Sequence, residues 1–394
     1  MASNPPYRIN ADLFRVPLEK LTGLPNLAYI SSEFAEFERD RVLAKTWFCI
    51  ANLAQLPESG WMHPVDVLGM PFVVTRDRDD QVRVFHNVCS HRGMKLVDRP
   101  GPMKRRISCR YHGWCYNVAG ELVATPHIDG EGVHSDERFD RSQHGLRSVR
   151  HHCFAGLVFI NIDGKAPDFV DFIRPVTDYW RAFDFDAYAH GADDSSWEME
   201  LQGNWKFAQE NHVDGYHLPF VHPDLNSYSP LGDHRPILIE GSASGQMSLG
   251  QHHADTLGDL RLPCNPDLDD VYQKGQAEFL SIYPNVMMGV HADHVWTTFL
   301  IPLAADRTFE RMDLYYYGNG ASDPAYADLR RGNCQRMQAI FEEDRDMIES
   351  MQCGRQSPAF TGGALSPGMD QPAYCFNRIV ANEVLAALED AAEE

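Results

Sequence analysis

Residues 89–114 read CSHRGMKLVDRPGPMKRRISCRYHGW and contain the same small pattern twice. Cys89 stands just before His91, and Cys109 just before His112, with residues 92–108 between the two pairs. Each pair puts one thiolate and one imidazole on a tight loop. Four ligands of this softness fit a tetrahedral zinc site or an iron–sulfur cluster. The spacing favours a [2Fe–2S] cluster, in which two Cys hold one iron and two His the other, so that each loop supplies one of each. Gly93 and Gly113 follow the two loops and let backbone approach the cluster closely. Trp114 and Tyr116 are placed to shield it. Cys115 lies outside the pattern and is expected to be packed, not ligating.

CSHRG…CRYHGW resembles the Rieske domain of aromatic-ring-hydroxylating oxygenases. Other Rieske proteins share the motif, so a second site must decide what the cluster serves. Residues 203–222 read GNWKFAQENHVDGYHLPFVH. Asp214 and His217 have i,i+3 spacing, which predicts one shared helical face, with Pro219 ending the helix soon after. His222 follows within reach of the same point. Two His and one carboxylate make a facial triad that leaves iron positions open for O2 and substrate. The stretch resembles the mononuclear-iron motif of the Rieske oxygenases, which implies His217 and His222 as iron ligands. The resemblance also implies that Asp214 bridges to the Rieske histidine of a neighbouring subunit. Glu210 and Asn211 are either supporting polar groups or helix surface.

The third ligand is sought in EEDRDMIESMQCG, residues 342–354. Its likeness to the family's acidic helix implies Asp344, with Glu342, Glu343 and above all Asp346 as competitors. IYPNVMMGVHADHVW (282–296) resembles a pocket-lining strand of the family, with His291 and His294 expected at the surface or behind the ligands. The resemblance runs from about residue 40 to residue 380 and includes SPGMDQPAYCFNR (366–378).

Around these motifs, the texture of the chain predicts an α+β protein: an all-β Rieske domain inserted into a larger α+β catalytic domain, with an antiparallel sheet flanked by helices. Residues 1–42 form a helical lead-in, 43–162 the Rieske domain and 163–394 the mononuclear-iron domain. Ser31 or Ser32 caps a helix through Phe34, Phe37 and Val42. Short runs at Trp47–Ile50, Pro71–Thr75, Val82–Asn87 and Gly156–Ile162 read as strands, as do Trp197–Leu201 and Val295–Pro302. Long helices are expected over 323–352 and 377–391.

The 394 residues carry a formal charge of −21, which makes nucleic acid and anionic membrane surfaces poor partners. No stretch is long and apolar enough to span a bilayer, and no secretory leader pattern is present, so a cytoplasmic location is expected. Nine scattered cysteines do not make a disulfide framework. Against the acidic background, Arg92, Lys95, Arg99, Lys104, Arg105, Arg106 and Arg110 crowd the metal loops, with Asp98 the sole acid among them. This collar is expected to dock an acidic ferredoxin or reductase, or an acidic face of the next subunit.

The resemblance implies a terminal oxygenase that uses O2 and electrons from NAD(P)H, delivered through a ferredoxin or flavin reductase. Its cofactors are a [2Fe–2S] Rieske cluster and a mononuclear Fe(II). A trimer or multiple of trimers is implied, with or without a small beta subunit. ENHVDGYH is similar to oxygenases of aromatic substrates, so hydroxylation or dihydroxylation of a small aromatic compound is the expected reaction. The YPN strand and the SP…F segment are similar to the homotrimeric group that includes amine oxidisers, which makes oxidative N- or O-demethylation, quaternary amines included, the alternative. An electron carrier without oxygenase activity would need only Cys89, His91, Cys109 and His112. A zinc scaffold is the remaining reading.

Overall fold

The computed structural model describes residues 7, 9–250, 252–254 and 257–393. The chain forms two compact units, one of Lys45–Ala166 and one of Met1–Ala44 with Pro167–Glu394.

In the first unit, β1 (Phe48–Asn52), β10 (Leu157–Asn161) and β9 (Arg150–Phe154) make an antiparallel sheet in that order. β10 is buried along its whole length, which is why the apolar run that ends this stretch shows no alternation. β4 (Val82–His86), β3 (Met70–Arg76), β2 (Trp61–Val67) and β5 (Gly101–Pro102) make a second sheet. β6 (Ile107–Ser108), β7 (Cys115–Tyr116) and β8 (Leu122–Ala124) make a third; the Cys109 loop joins β6 to β7, whereas the Cys89 loop follows β4 of the second sheet. Phe85, Val97, Ile107, Trp114, Tyr116 and Leu122 pack with Cys89 and Cys109 into the core beneath those loops.

The second unit is built on an eight-stranded antiparallel sheet. Its order is β11 (Tyr188–His190), β18 (Arg307–Tyr317), β17 (His294–Ala304), β16 (Val286–Val290), β15 (Ala277–Ile282), β14 (Ala243–Ser248) and β13 (His234–Ile239). β12 (Ser196–Leu201) also pairs with β18. β12 shows the period of a half-buried strand: Trp197, Met199 and Leu201 are buried, whereas Glu198 and Glu200 are exposed. Each such burial contributes about 1.5–3 kcal/mol.

The helices are α1 (Asp12–Glu19), α2 (Leu27–Ile30), α3 (Ser32–Phe37), α4 (Phe169–Tyr179), α5 (Trp205–Val213), α6 (Leu218–Val221), α7 (Pro223–Tyr228), α8 (Asp270–Gln273), α9 (Ala327–Gly354) and α10 (Gln371–Glu393). The α+β class is the one expected. α5 lies on β14 and β15 and meets α9 and α10. Ser31 Oγ caps α3 by accepting from Phe34 N, and the helix then widens into π-type turns over Glu38–Leu43 instead of continuing as α. The long late helix starts at Ala327, after Asp323 and Pro324 set up a 3-10 turn. Among the described residues, no helix is long and apolar enough to cross a membrane.

Candidate metal centres and substrate pocket

The two metal loops repeat one hydrogen-bond scheme. Cys89 N donates to Met94 O and Gly93 N to Cys89 O; Cys109 N donates to Trp114 O and Gly113 N to Cys109 O. Each turn closes on a glycine in the left-handed region, Gly93 at φ 73° and Gly113 at φ 71°. The Cys89 and Cys109 side chains are buried, while His91 and His112 face solvent, with ring centroids 4.7 Å apart. Two inner thiols and two outer imidazoles on matched loops are the donor set of a Rieske cluster. Burial raises the Cys89 thiol above its ordinary range, so a metal must displace its proton. Tyr116 Oη lies 3.2 Å from Cys89 Sγ and accepts from Ser90 N, and Trp114 stacks on His91. Cys115 stands apart, donating to Gly113 O. In the collar, Lys95 pairs with Asp66 and Arg110 with Asp98, while Arg92, Arg99, Lys104, Arg105 and Arg106 are exposed.

The second centre lies where α5 ends. Asp214 and His217 do not share a helix, contrary to expectation. α5 stops at Val213, Asp214 takes extended backbone, and Asp214 Oδ1 accepts from Tyr216 N at 2.6 Å. That side-chain bond closes a turn that competes with continued helix. Gly215 then passes so close to the sheet that a Cβ would sit 2.5 Å from Gln246 Oε1. Pro219 starts α6 instead of ending a helix. His217 precedes α6 and His222 precedes α7, so both imidazoles turn to one point.

α9 brings Asp344 to that point. Among the described residues, His217, His222 and Asp344 form a group whose ligand atoms lie within 4.8 Å of one another. Asp344 Oδ1 is 2.8 Å from His222 Nε2 and 3.5 Å from His217 Nε2. Each histidine has its Nδ1 on a carboxylate: His217 on Asp214 Oδ2 at 3.2 Å and His222 on Glu343 Oε2 at 2.6 Å. Carboxylates only accept, so each Nδ1 donates outward, and a bound metal would take the Nε2 lone pairs on the side where Asp344 stands. Two imidazoles, one carboxylate and an open cleft fit a mononuclear iron. Asp346 is exposed and outside the group. Glu343, read from sequence as a rival ligand, instead orients one. Glu210 turns away to accept from Tyr29 Oη.

The cleft beside this group encloses about 720 Å³, including its mouth. Asn211 and His212 line it, and so do Phe279, Trp296 and Phe341. Sequence reasoning placed His291 and His294 at the surface or behind the ligands; they are buried and line the pocket with His252 and Arg336. The available signal was the pair of histidines interrupting an otherwise apolar strand pair. Nothing in the sequence singled out Arg336, which is one cation on a charged helix.

A family model described as "Rieske [2Fe-2S] domain" matches residues 46–137, and one described as "Ring hydroxylating alpha subunit (catalytic domain)" matches residues 185–386. The alpha subunit of 2-aminobenzenesulfonate 2,3-dioxygenase from Alcaligenes sp is 34% identical over 204 residues, which are 50% of this chain and 49% of that relative's length. Chloroplastic choline monooxygenase from Arabidopsis thaliana is 26% identical over 362 residues, 89% of this chain and 80% of that protein. A quaternary ammonium Rieske monooxygenase, solved with its substrates L-carnitine and gamma-butyrobetaine, aligns with TM-scores of 0.75 and 0.74. Those alignments cover 95% of this chain and 99% of that one at 22% identity, and bear on the fold alone.

Proposed function

The chain belongs to the ring-hydroxylating alpha-subunit family of Rieske oxygenases, and from that premise we propose that it is the terminal oxygenase of a system that hydroxylates a quaternary or related N-methylated amine. The observation that carries this reading is the extent of the match to choline monooxygenase, which runs through 89% of the chain, whereas the aromatic-sulfonate relative matches half. The pocket supports it. Phe279, Trp296 and Phe341 present aromatic faces of the kind that attract an N-methylated cation. The aromatic substrate expected from ENHVDGYH therefore becomes the second reading, favoured by the 34% identical relative and by Arg336 in the pocket, which suits an aromatic acid.

Cys89, His91, Cys109 and His112 would hold the cluster, and His217, His222 and Asp344 the iron. When bound, these groups supply electron transfer and O2 activation. The chain's own residues do the rest. Asp214 and Glu343 keep both Nε2 atoms aimed at the metal position. The aromatic walls exclude water and hold the carbon next to nitrogen toward the triad. The overall change balances as C–H + O2 + 2e⁻ + 2H⁺ giving C–OH + H2O, and an N-hydroxymethyl product then releases formaldehyde. The electrons come from NAD(P)H through a ferredoxin or flavin reductase, and a trimeric assembly is expected, measurable by light scattering.

The test is anaerobic purification followed by iron and sulfide analysis and NADH-dependent O2 uptake with a partner reductase. About three irons and two sulfides per chain are expected, with uptake and formaldehyde release on N-methylated amines. Two irons and two sulfides that no Fe(II) reconstitution raises would identify an electron carrier, and uptake confined to aromatic acids would sink the amine reading.

A further inference from the structure

One wall of the pocket carries a polar cluster that holding the metals does not require. His252, His291 and His294 are each more than nine-tenths buried. All three line the cleft, and the Nε2 atom of each lacks a hydrogen-bond partner among the described residues. Buried polar atoms in native proteins are satisfied as a rule, and one without a protein partner in a binding cleft is open to a ligand atom. The His291 ring stacks on His294 at 3.9 Å and lies 5.6 Å from Phe279. Phe279 in turn lies 6.2 Å from Trp296, and Trp296 lies 5.9 Å from Phe341. These contacts link the histidine cluster through Phe279 and Trp296 to Phe341, which stands on α9 one turn before Asp344.

The hydrogen bonds define what His291 offers. Its Nδ1 lies 2.9 Å from the His252 carbonyl, which can only accept, so Nδ1 carries the proton and Nε2 presents a lone pair. Burial, with His294, His252 and Arg336 nearby, keeps the imidazole neutral. His294 Nδ1 is held by Asp293 at 2.7 Å, and Asp293 is held in turn by Ala254 N, so the stacked pair is rigidly mounted. The Arg336 guanidinium, fixed by Asn333 Oδ1 at 2.8 Å, enters the same cleft. A substrate cation is repelled at this end, and an acidic group is attracted.

The geometry points to a substrate with two distinct ends: a hydroxyl or N–H group that donates to His291 Nε2, with an acidic group at Arg336, and the reacting end at Trp296 and Phe341. This deepens the amine reading and rests on it for the identity of the reacting end. The substrate class is then a hydroxylated or amino-substituted acid with an N-methylated cationic end.

The test uses the purified holoenzyme and two ligand pairs, each differing by one donor. L-Carnitine is compared with gamma-butyrobetaine, which lacks the hydroxyl, and 2-aminobenzenesulfonate with benzenesulfonate, which lacks the N–H. Calorimetric Kd is read without turnover. The donor-bearing member is expected to bind about tenfold tighter. In His291→Leu that ratio should fall to about one, and in His291→Gln, whose amide oxygen still accepts, most of it should remain. A merely structural histidine would weaken both members alike and leave the ratio unchanged. Arg336→Met should weaken the acids about tenfold and also leave the ratio, which gives a second variant should His291→Leu not fold. A preference in the amine pair supports both the inference and the amine reading. A preference in the sulfonate pair alone supports the role of His291 while overturning the amine reading. No preference in either pair, through equal binding or none, overturns the inference, as does a preference that survives His291→Leu.

Discussion

Glu343 shows how a single side chain can be misread in sequence. In EEDRDMIES four acids stand within five positions, and such a run is usually a solvated helix face. On α9, neighbouring positions point in different directions, so only Asp344 reaches both Nε2 atoms, while Glu343 reaches the far side of His222. A carboxylate on the distal nitrogen orients a ligating histidine and raises its basicity. Glu343→Gln is therefore expected to lower mononuclear-iron affinity by about 10–100-fold while the visible spectrum of the cluster stays intact. Asp344→Ala should lose that iron outright, and Asp346→Ala should keep it. Iron and sulfide analysis of the three variants checks the assignment, and an iron-replete Asp344→Ala protein would refute it. The two histidines themselves were legible because Asp-x2-His-x4-His accompanied the cluster motif on one chain.

At the level of elements, α5 carries the approach to the site and is anchored from behind by an ion pair. Lys206 is fully buried, and its Nζ lies 2.9 and 2.8 Å from the two carboxylate oxygens of Glu38. Glu38 also accepts from Trp205 Nε1 at 3.0 Å. Removing one partner leaves an uncompensated buried charge, which costs about 3–5 kcal/mol. Glu38→Ala should therefore lower the calorimetric unfolding temperature of this unit sharply, and the double variant Glu38→Leu/Lys206→Met should recover most of the loss. Equal melting of the single variant and the parent protein would remove this anchor from the account. The π-type turns that carry Glu38 were not legible, because hydrophobic periodicity through Phe34, Phe37 and Val42 fits a continuous helix equally well. The end of α5 was misjudged for a related reason. The i,i+3 spacing of Asp214 and His217 is helical, but the Asp214 side chain satisfies Tyr216 N in a turn.

For the whole molecule, charge is the property that sequence exposes most directly. A chain of net charge −21 carries six exposed basic residues around its metal loops, at Arg92, Arg99, Lys104, Arg105, Arg106 and, paired with Asp98, Arg110. Charge reversal at Lys104 and Arg105 is expected to slow reduction by an acidic donor protein, with the deficit shrinking as salt rises, while iron content stays unchanged. Stopped-flow reduction across a salt series measures this, and salt-independent, unchanged rates would remove the collar as a docking surface. Sequence by itself determined the α+β class, both sets of candidate metal-binding residues and the family, because ligand chemistry demands particular residue types at short spacings that survive on the printed chain. Tertiary structure alone decided that Glu343, a rival ligand in sequence, instead supports one of the histidines, and that His252, His291, His294 and Arg336 converge in one pocket. Those residues come from separate strands, loops and helices, and only the packing of the sheet against α9 brings them within reach of a single ligand.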